Sequence, residues 1–354
     1  MGSSLQLIYP WIRSPLVVCS PMLRISQPAL AVAVSHAGGL GFVAGGYDAD
    51  ELTLNMENAV DLLKGLNPPV PSQTGVLPIG IGFVLWGCDL ERSVHVIQQF
   101  VPAAVWLFAA SSNDQYALWA SRIRDATQRR TQIWVQVAGV KEGLEVVRVA
   151  QPDVLVAQGN DAGGHGMKRS ASVISLVPEL RDSLDAQGFN HTAVLAAGGI
   201  VDGRGAAAAL VLGADGVVMG TRFLASREAV VVKGYQQELL RAEDGGVCTV
   251  RSKLFDRVKE TNGWPEGYNG RAFVNRTFLD AKNGMPDKQN ISLHKQEVSQ
   301  GDTDGGLKAR TIRYAGTGVG LIHDVVPAAE IVARVTAEAE NSLGETINNL
   351  KAGN

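Results

Sequence analysis

The chain has 354 residues, 45% of them hydrophobic, and a formal net charge of 32 − 35 = −3. That much apolar material supports a sizeable core, and the near-balanced charge gives no electrostatic reason to expect nucleic acid or an anionic membrane as a partner. Three cysteines (Cys19, Cys88 and Cys248) form neither a pairing pattern nor a close metal-ligand spacing, so a reducing, cytoplasmic setting without a bound metal is expected.

The Met1-Gly2-Ser3-Ser4 start is similar to a myristoylation site, but Gln6 stands where Ser or Thr is wanted, and no basic-then-apolar leader is visible. Short apolar runs bounded by Gly, Pro or Asp then recur along the chain. Strands are predicted at Pro15 to Ser20, Leu40 to Ala44, Val76 to Val84, Ala104 to Ala109, and Gln132 to Val137. Three more follow at Asp153 to Gln158, Ala193 to Ala197, and Gly216 to Met219. The runs are almost continuously apolar, as strands covered on both faces must be. Helical patterns lie between them at Gln27 to His36, Asp50 to Lys64, Leu90 to Phe100, Asn113 to Ala126, Lys141 to Val149, Ala171 to Asp185 and Gly203 to Leu212. The apolar stretch from Ala206 to Gly220 is broken by Asp215 and reads as helix then strand, not as a membrane span. Eight strand–helix units predict a parallel sheet closed into a (β/α)₈ TIM barrel.

After the eighth strand the pattern changes. Residues Ser226 to Arg313 are more polar, with turn formers at Asn262-Gly263-Trp264-Pro265 and Gly301 to Gly306, and show no strand–helix period. An amphipathic helix from Pro327 to Glu340 carries Ile331, Val332 and Val335 at helical spacing. The predicted organisation is a barrel formed by residues 1–225 and 314–345, with a small inserted domain at 226–313 that can cover the active site.

Active sites of such barrels lie in the loops at the C-terminal strand ends. The seventh strand runs into Ala197-Gly198-Gly199-Ile200 and the eighth into Met219-Gly220-Thr221-Arg222. These are the positions at which barrels of this kind bind phosphate, because glycine lets backbone N–H groups approach and a following helix start adds a favourable dipole. Thr221 offers a hydroxyl donor. The sixth strand ends in Gln158-Gly159-Asn160-Asp161-Ala162-Gly163-Gly164-His165-Gly166, which puts one imidazole, the natural proton carrier near neutral pH, at a strand end. His36, His95, His191, His294 and His323 lack such a setting and read as surface or structural. Pro21-Met22, after the first strand, suits the face of a flat cofactor, with core packing as the alternative for Met22. Gln136 and Gln158 end strands five and six, where an amide can bond a heterocycle edge. Cys19 reads as a buried thiol.

Ser20-Pro21-Met22, Gly38-Gly39-Leu40-Gly41, Gly159 to His165, Ala197 to Ile200, Met219 to Phe223 and Ala315-Gly316-Thr317-Gly318-Val319-Gly320-Leu321-Ile322 occur in one order. Together they resemble the nitronate monooxygenases, formerly 2-nitropropane dioxygenases, over roughly Pro15 to Ala339; FMN-dependent enoyl-acyl-carrier-protein reductases share nearly the same motifs. The resemblance implies FMN, with its phosphate at Gly198, Gly199, Gly220 and Thr221. It implies Pro21, Met22, Gln136 and Gln158 along the isoalloxazine and ribityl regions, Gly163 and Gly164 passing close by, and His165 as the active-site histidine. Two positions depart from the family: Gly82 stands where many relatives have Asn, and Gln136 where some have Lys. Trp264 to Arg271 resembles a variant branch and can roof the site.

The expected activity is FMN-dependent oxidation of a small-molecule nitronate or nitroalkane by O₂, with His165 as base or hydrogen-bond donor. The alternatives are an NAD(P)H-dependent FMN reductase of an enoyl thioester or other activated alkene, and a barrel that binds a phosphate ligand without turnover.

Overall fold

The computed structural model describes residues 4–73, 75–301 and 305–352; the Met1-Gly2-Ser3 start and the centre of the 301–306 turn lie outside the described residues. Strands β1 (Leu16–Cys19), β2 (Leu40–Ala44), β3 (Leu77–Val84), β4 (Pro102–Phe108), β5 (Gln132–Val137) and β6 (Val154–Gln158) are followed by β7 (Gly164–Met167), β8 (Ala193–Ala197) and β9 (Gly216–Met219). All but β7 form a closed parallel barrel in the order β1-β2-β3-β4-β5-β6-β8-β9, with β1 pairing both β2 and β9. The eight predicted strands are these eight, their ends shifted by at most two residues.

The period of two explains how one strand serves two cores. In β1, Val17 and Cys19 point outward into the layer shared with the helices, while Leu16 and Val18 point into the barrel. The interior holds three large rings, Phe42, Trp106 and Trp134. Gly80 makes room for them, since a Cβ there would lie 2.2 Å from the Phe42 ring. The N-terminal segment plugs the bottom with Leu5, Tyr9, Trp11 and Ile12, and Trp134 Nε1 donates to the Tyr9 hydroxyl at 2.9 Å. The barrel is therefore packed solid below, and chemistry is confined to its other end.

The chain from 226 to 313 carries short helices and two strands, β10 (Thr249–Ser252) and β11 (Tyr268–Phe273). Their sheet has the order β10-β11-β7, so the segment after the sixth barrel strand, read from sequence as a glycine-rich loop, supplies the third strand. Gly164-His165-Gly166-Met167 has no apolar alternation to announce it. Its ladder comes from β11, about a hundred residues later in the chain, which no local pattern records. The insert thus builds its small sheet on the segment that links the sixth and seventh barrel strands.

The final helix runs from Ala328 to Ala352, twelve residues past the predicted end at Glu340. Its buried face stops at Ala339, and Ile347 and Leu350 beyond it are exposed, so the apolar stripe that defined the predicted helix ends before the helix does.

Candidate active site

The strand ends place the site by the same alternation that fills the barrel. Trp134 faces inward on β5, so Gln136, two residues on, faces inward one layer higher. Trp106 Nε1 donates to Gln136 Oε1 at 3.2 Å, which fixes the amide. Gln136 is 7% exposed and its Nε2 has no hydrogen-bond partner, leaving a buried donor pair at the top of the interior. Pro21 lies across β3: a Cβ on Gly82 would sit 2.3 Å from its ring, so the departure at position 82 is the space that Pro21 occupies. Met22, half-buried beside it, has its backbone N–H bonded to Ser26 Oγ at 2.7 Å.

The glycine-rich ends of β8 and β9 come together with the loop after β6. Gly198 and Gly199 have φ of 109° and 76°, a left-handed backbone that suits glycine. A Cβ on Gly198 would lie 2.9 Å from the Gly159 carbonyl, so that loop rests directly on the turn. Gly220 caps the short helix Thr221–Leu224 and borders Ser20 and Met22. Thr221 Oγ1 accepts the Gly316 N–H at 3.0 Å, which leaves the hydroxyl proton free to donate. Gly163 presses against the 315–316 backbone, whereas Gly164, at φ 68°, faces open space. Gln158 does not end in a free amide: its Nε2 donates to the His165 carbonyl at 3.2 Å, and Gly166 lacks the Cβ that would meet Gln158 Oε1 at 2.4 Å. It supports β7 from below.

His165 sits in β7 opposite Gly270 of β11. Its Nε2 is 2.6 Å from Asp256 Oδ1, on the insert helix Leu254–Lys259, and its ring stacks on Trp264 at 3.7 Å with planes 6° apart. Tyr314 lies at 5.4 Å. Trp264 in turn meets Trp86, Phe108 and Tyr268, so the loop 262–268 joins the turn after β3 and the end of β4 in one aromatic wall. Gly263 allows this contact, because a Cβ there would fall 1.9 Å from the Trp86 ring.

Burial holds the His165 pKa below 6.5, outweighing the neighbouring Asp256, which pulls it up; Lys259 and Lys253 add to the lowering. The ring is therefore neutral at pH 7, a form that can accept a proton. Burial likewise lowers His294, whose Nδ1 bonds the Arg310 carbonyl within the insert. Folded-state values below the unfolded 6.5 mean that the unfolded chain binds more protons in that window. The stabilisation is fully present above pH ~6.5 and is lost as pH falls through the unfolded and then the folded value. Urea unfolding midpoints should fall between pH 7.5 and 5, and less steeply in His294→Gln; equal slopes would count against this assignment.

Sequence reasoning named His165, Gln136 and the glycine ends as candidates, and did not name Asp256 or Tyr314, which the structure places beside His165. Asp256 lies in the apolar helical pattern of Leu254-Phe255-Asp256-Arg257-Val258, and its partner is 91 residues away. An acidic residue on the buried side of a short helix was the available signal.

Fold and site together define an α/β barrel enzyme in which a partly buried histidine, on the segment after the sixth barrel strand, is held against an inserted segment. A model of the nitronate monooxygenase family matches residues 8–68 and 90–338. The chain is 43% identical to nitronate monooxygenase npaC of Metarhizium robertsii, over 96% of this chain and 95% of that one. It is 35% identical to a nitronate monooxygenase of Neurospora crassa, over 95% and 92%. In fold it is similar to FabK from Thermotoga maritima (TM-score 0.76, 24% identity, 99% of each chain). It is also similar to the nitroalkane oxidase of Streptomyces ansochromogenes (TM-score 0.73, 24% identity, 97% and 100%). The chain belongs to the nitronate monooxygenase family and is an oxidoreductase. No helix among the described residues is long and apolar enough to cross a membrane.

Proposed function

We propose that this chain oxidises alkyl nitronates, and nitroalkanes after loss of their α-proton, with FMN and O₂, giving carbonyl compounds and nitrite. The observation that carries the reading is His165: a neutral imidazole on the short strand that follows the sixth barrel strand, one nitrogen tied to Asp256 and the other without a protein partner among the described residues.

The residues present fit FMN. The buried, unpartnered Nε2 of Gln136 asks for an acceptor such as a flavin heteroatom, and Pro21 and Met22 flank the same mouth. Gly198, Gly199 and Gly220, with the Thr221 hydroxyl, suit the phosphate. FMN, when bound, supplies the electron acceptor. His165 takes the α-proton of a nitroalkane or bonds the nitro group of a nitronate. The Trp86–Phe108–Trp264–Tyr268 wall suits an apolar carbon chain and keeps water off the imidazole.

Anaerobic flavin reduction followed by visible absorbance tests the proposal. Ethyl nitronate alone should bleach the flavin. Bleaching by NADPH and not by nitronate would replace the reading with that of a reductase of activated alkenes. A protein that cannot be loaded with FMN would end both. Gln136→Leu removes the orphaned donor, and loss of one buried hydrogen bond should weaken FMN about tenfold. Unchanged flavin affinity, measured by quenching of FMN fluorescence, would remove Gln136 from the site.

A further inference from the structure

We infer that Asp256, carried by the insert, is the positioning residue that holds His165 as its Nε2–H tautomer, so that Nδ1 is the atom that accepts the substrate proton. The inference rests on the proposed role of His165 and goes a step beyond it, to the group that sets which nitrogen works.

Three observations support it. Asp256 is 1% exposed, and its Oδ1 lies 2.6 Å from Nε2. A carboxylate oxygen accepts, so the bond requires the proton on Nε2. Among the described residues nothing bonds Nδ1, and Trp264 stacked flat on the ring at 3.7 Å limits imidazole rotation to its own plane. The backbone is held as well: Gln158 bonds the His165 carbonyl, and Arg251 donates to the carbonyls of Gly164 and Asn269 on either side of the β7–β11 pair. Position, tautomer and ring plane are thus all constrained, two of them by the insert.

The groups around the ring decide how it responds to pH. The insert helix brings Asp256 together with Lys253, whose Nζ is 3.5 Å from Asp256 Oδ2, and Lys259, whose ammonium lies 4.9 Å above the Tyr314 ring. Thr261 Oγ1 donates to Asp256 Oδ1 at 3.4 Å. Tyr314 faces the ring from the returning chain, and Arg251 and Arg271 from β10 and β11 spend their guanidiniums on loop carbonyls. Asp256 is therefore the acid that faces the imidazole directly, opposed by two lysines. In the proton-transfer step the α-C–H bond breaks, its electron pair passes into the C=N bond of the nitronate, and the proton bonds to Nδ1. The resulting imidazolium is stabilised by Asp256, and the proton later returns to solvent.

The first test is ¹⁵N NMR of the holoenzyme labelled in histidine, with the His165 signals assigned by their absence in His165→Asn. The proposal expects Nε2 protonated and Nδ1 bare above the imidazole pKa. A protonated Nδ1 in the wild type overturns it, whatever the substrate proves to be. The second test is Asp256→Asn. It should lower kcat/KM about 100-fold for nitroethane, which must be deprotonated, and far less for ethyl nitronate, which arrives deprotonated. Removing the carboxylate that raises the imidazole pKa should also move the acid limb of the nitroethane profile to lower pH. Equal losses on both substrates with an unmoved limb would mark Asp256 as a structural residue only. Failure of the wild type on both substrates would instead sink the proposed function, and the NMR result would still decide the tautomer.

Discussion

His165→Asn should keep its flavin and lose nitroalkane turnover by about 10² to 10⁴-fold, the usual contribution of a positioned general base. The flavin should stay because the groups proposed to hold it lie on other strand ends: Gln136 on β5, Gly198 and Gly199 after β8, Gly220 and Thr221 after β9. None of them hydrogen-bonds the imidazole of His165, whose bond runs the other way, to the insert. Asparagine is the informative replacement, since its amide is polar and no larger than the imidazole it replaces. It cannot take up a proton near pH 7. The measurement is kcat/KM for nitroethane beside the flavin absorbance of the purified variant. A variant that keeps both flavin and full turnover would sink the role assigned to His165, while one that loses flavin would show that β7 supports the cofactor loop more directly than the contacts indicate.

The barrel was open to reading because its signals are local. Each buried parallel strand is a short apolar run, and each turn carries its own glycine, proline or aspartate, so eight units could be counted without knowing what any residue touches. The glycine ends of β8 and β9 were legible for the same reason, since a left-handed turn at Gly198 and Gly199 demands glycine in place. What stayed hidden depends on contacts across the chain. His165 could be ranked by its place at a strand end, but its partner Asp256 sits 91 residues on, in a segment without a repeating pattern. β7 was invisible because Gly164 and Gly166 give a strand no apolar face, and it exists only through β11. Trp264 was noted as part of a roof; that it lies parallel to the imidazole follows from how loop 262–268 meets Trp86 and Phe108. Local signals thus specified the scaffold and singled out the candidate His165, while the contacts of His165 with the insert arise from long-range packing.

That division makes the seam between loop and returning chain the most sensitive place in the molecule. Gly163→Ala is expected to lower stability by about 3 kcal/mol or more, and to release the flavin with it. The added methyl would sit 2.5 Å from both the Ala315 carbonyl carbon and the Gly316 nitrogen. Both are backbone atoms, so no side chain can swing away and the two segments must part. Two bonds cross that seam, Thr317 N–H to the Asp161 carbonyl at 2.9 Å and Thr317 Oγ1 to Asp161 Oδ1 at 3.0 Å, and beside it Gly316 N–H bonds Thr221 Oγ1 at 3.0 Å. At about 0.5–1.5 kcal/mol each, with an overpacking cost of about 1–3 kcal/mol, their strain or loss reaches the expected figure. The neighbouring residue is the control. Gly164→Ala meets nothing within 4 Å and carries only the left-handed penalty of its φ of 68°, about 1 kcal/mol. Urea titrations with unchanged slope should therefore rank the two variants clearly, with Gly163→Ala the less stable and the poorer in flavin. If Gly163→Ala were no worse than Gly164→Ala, the close approach of 163 to 315–316 would not be what holds the cofactor loop. The phosphate end of the site would then have to be supported from β8 and β9 alone.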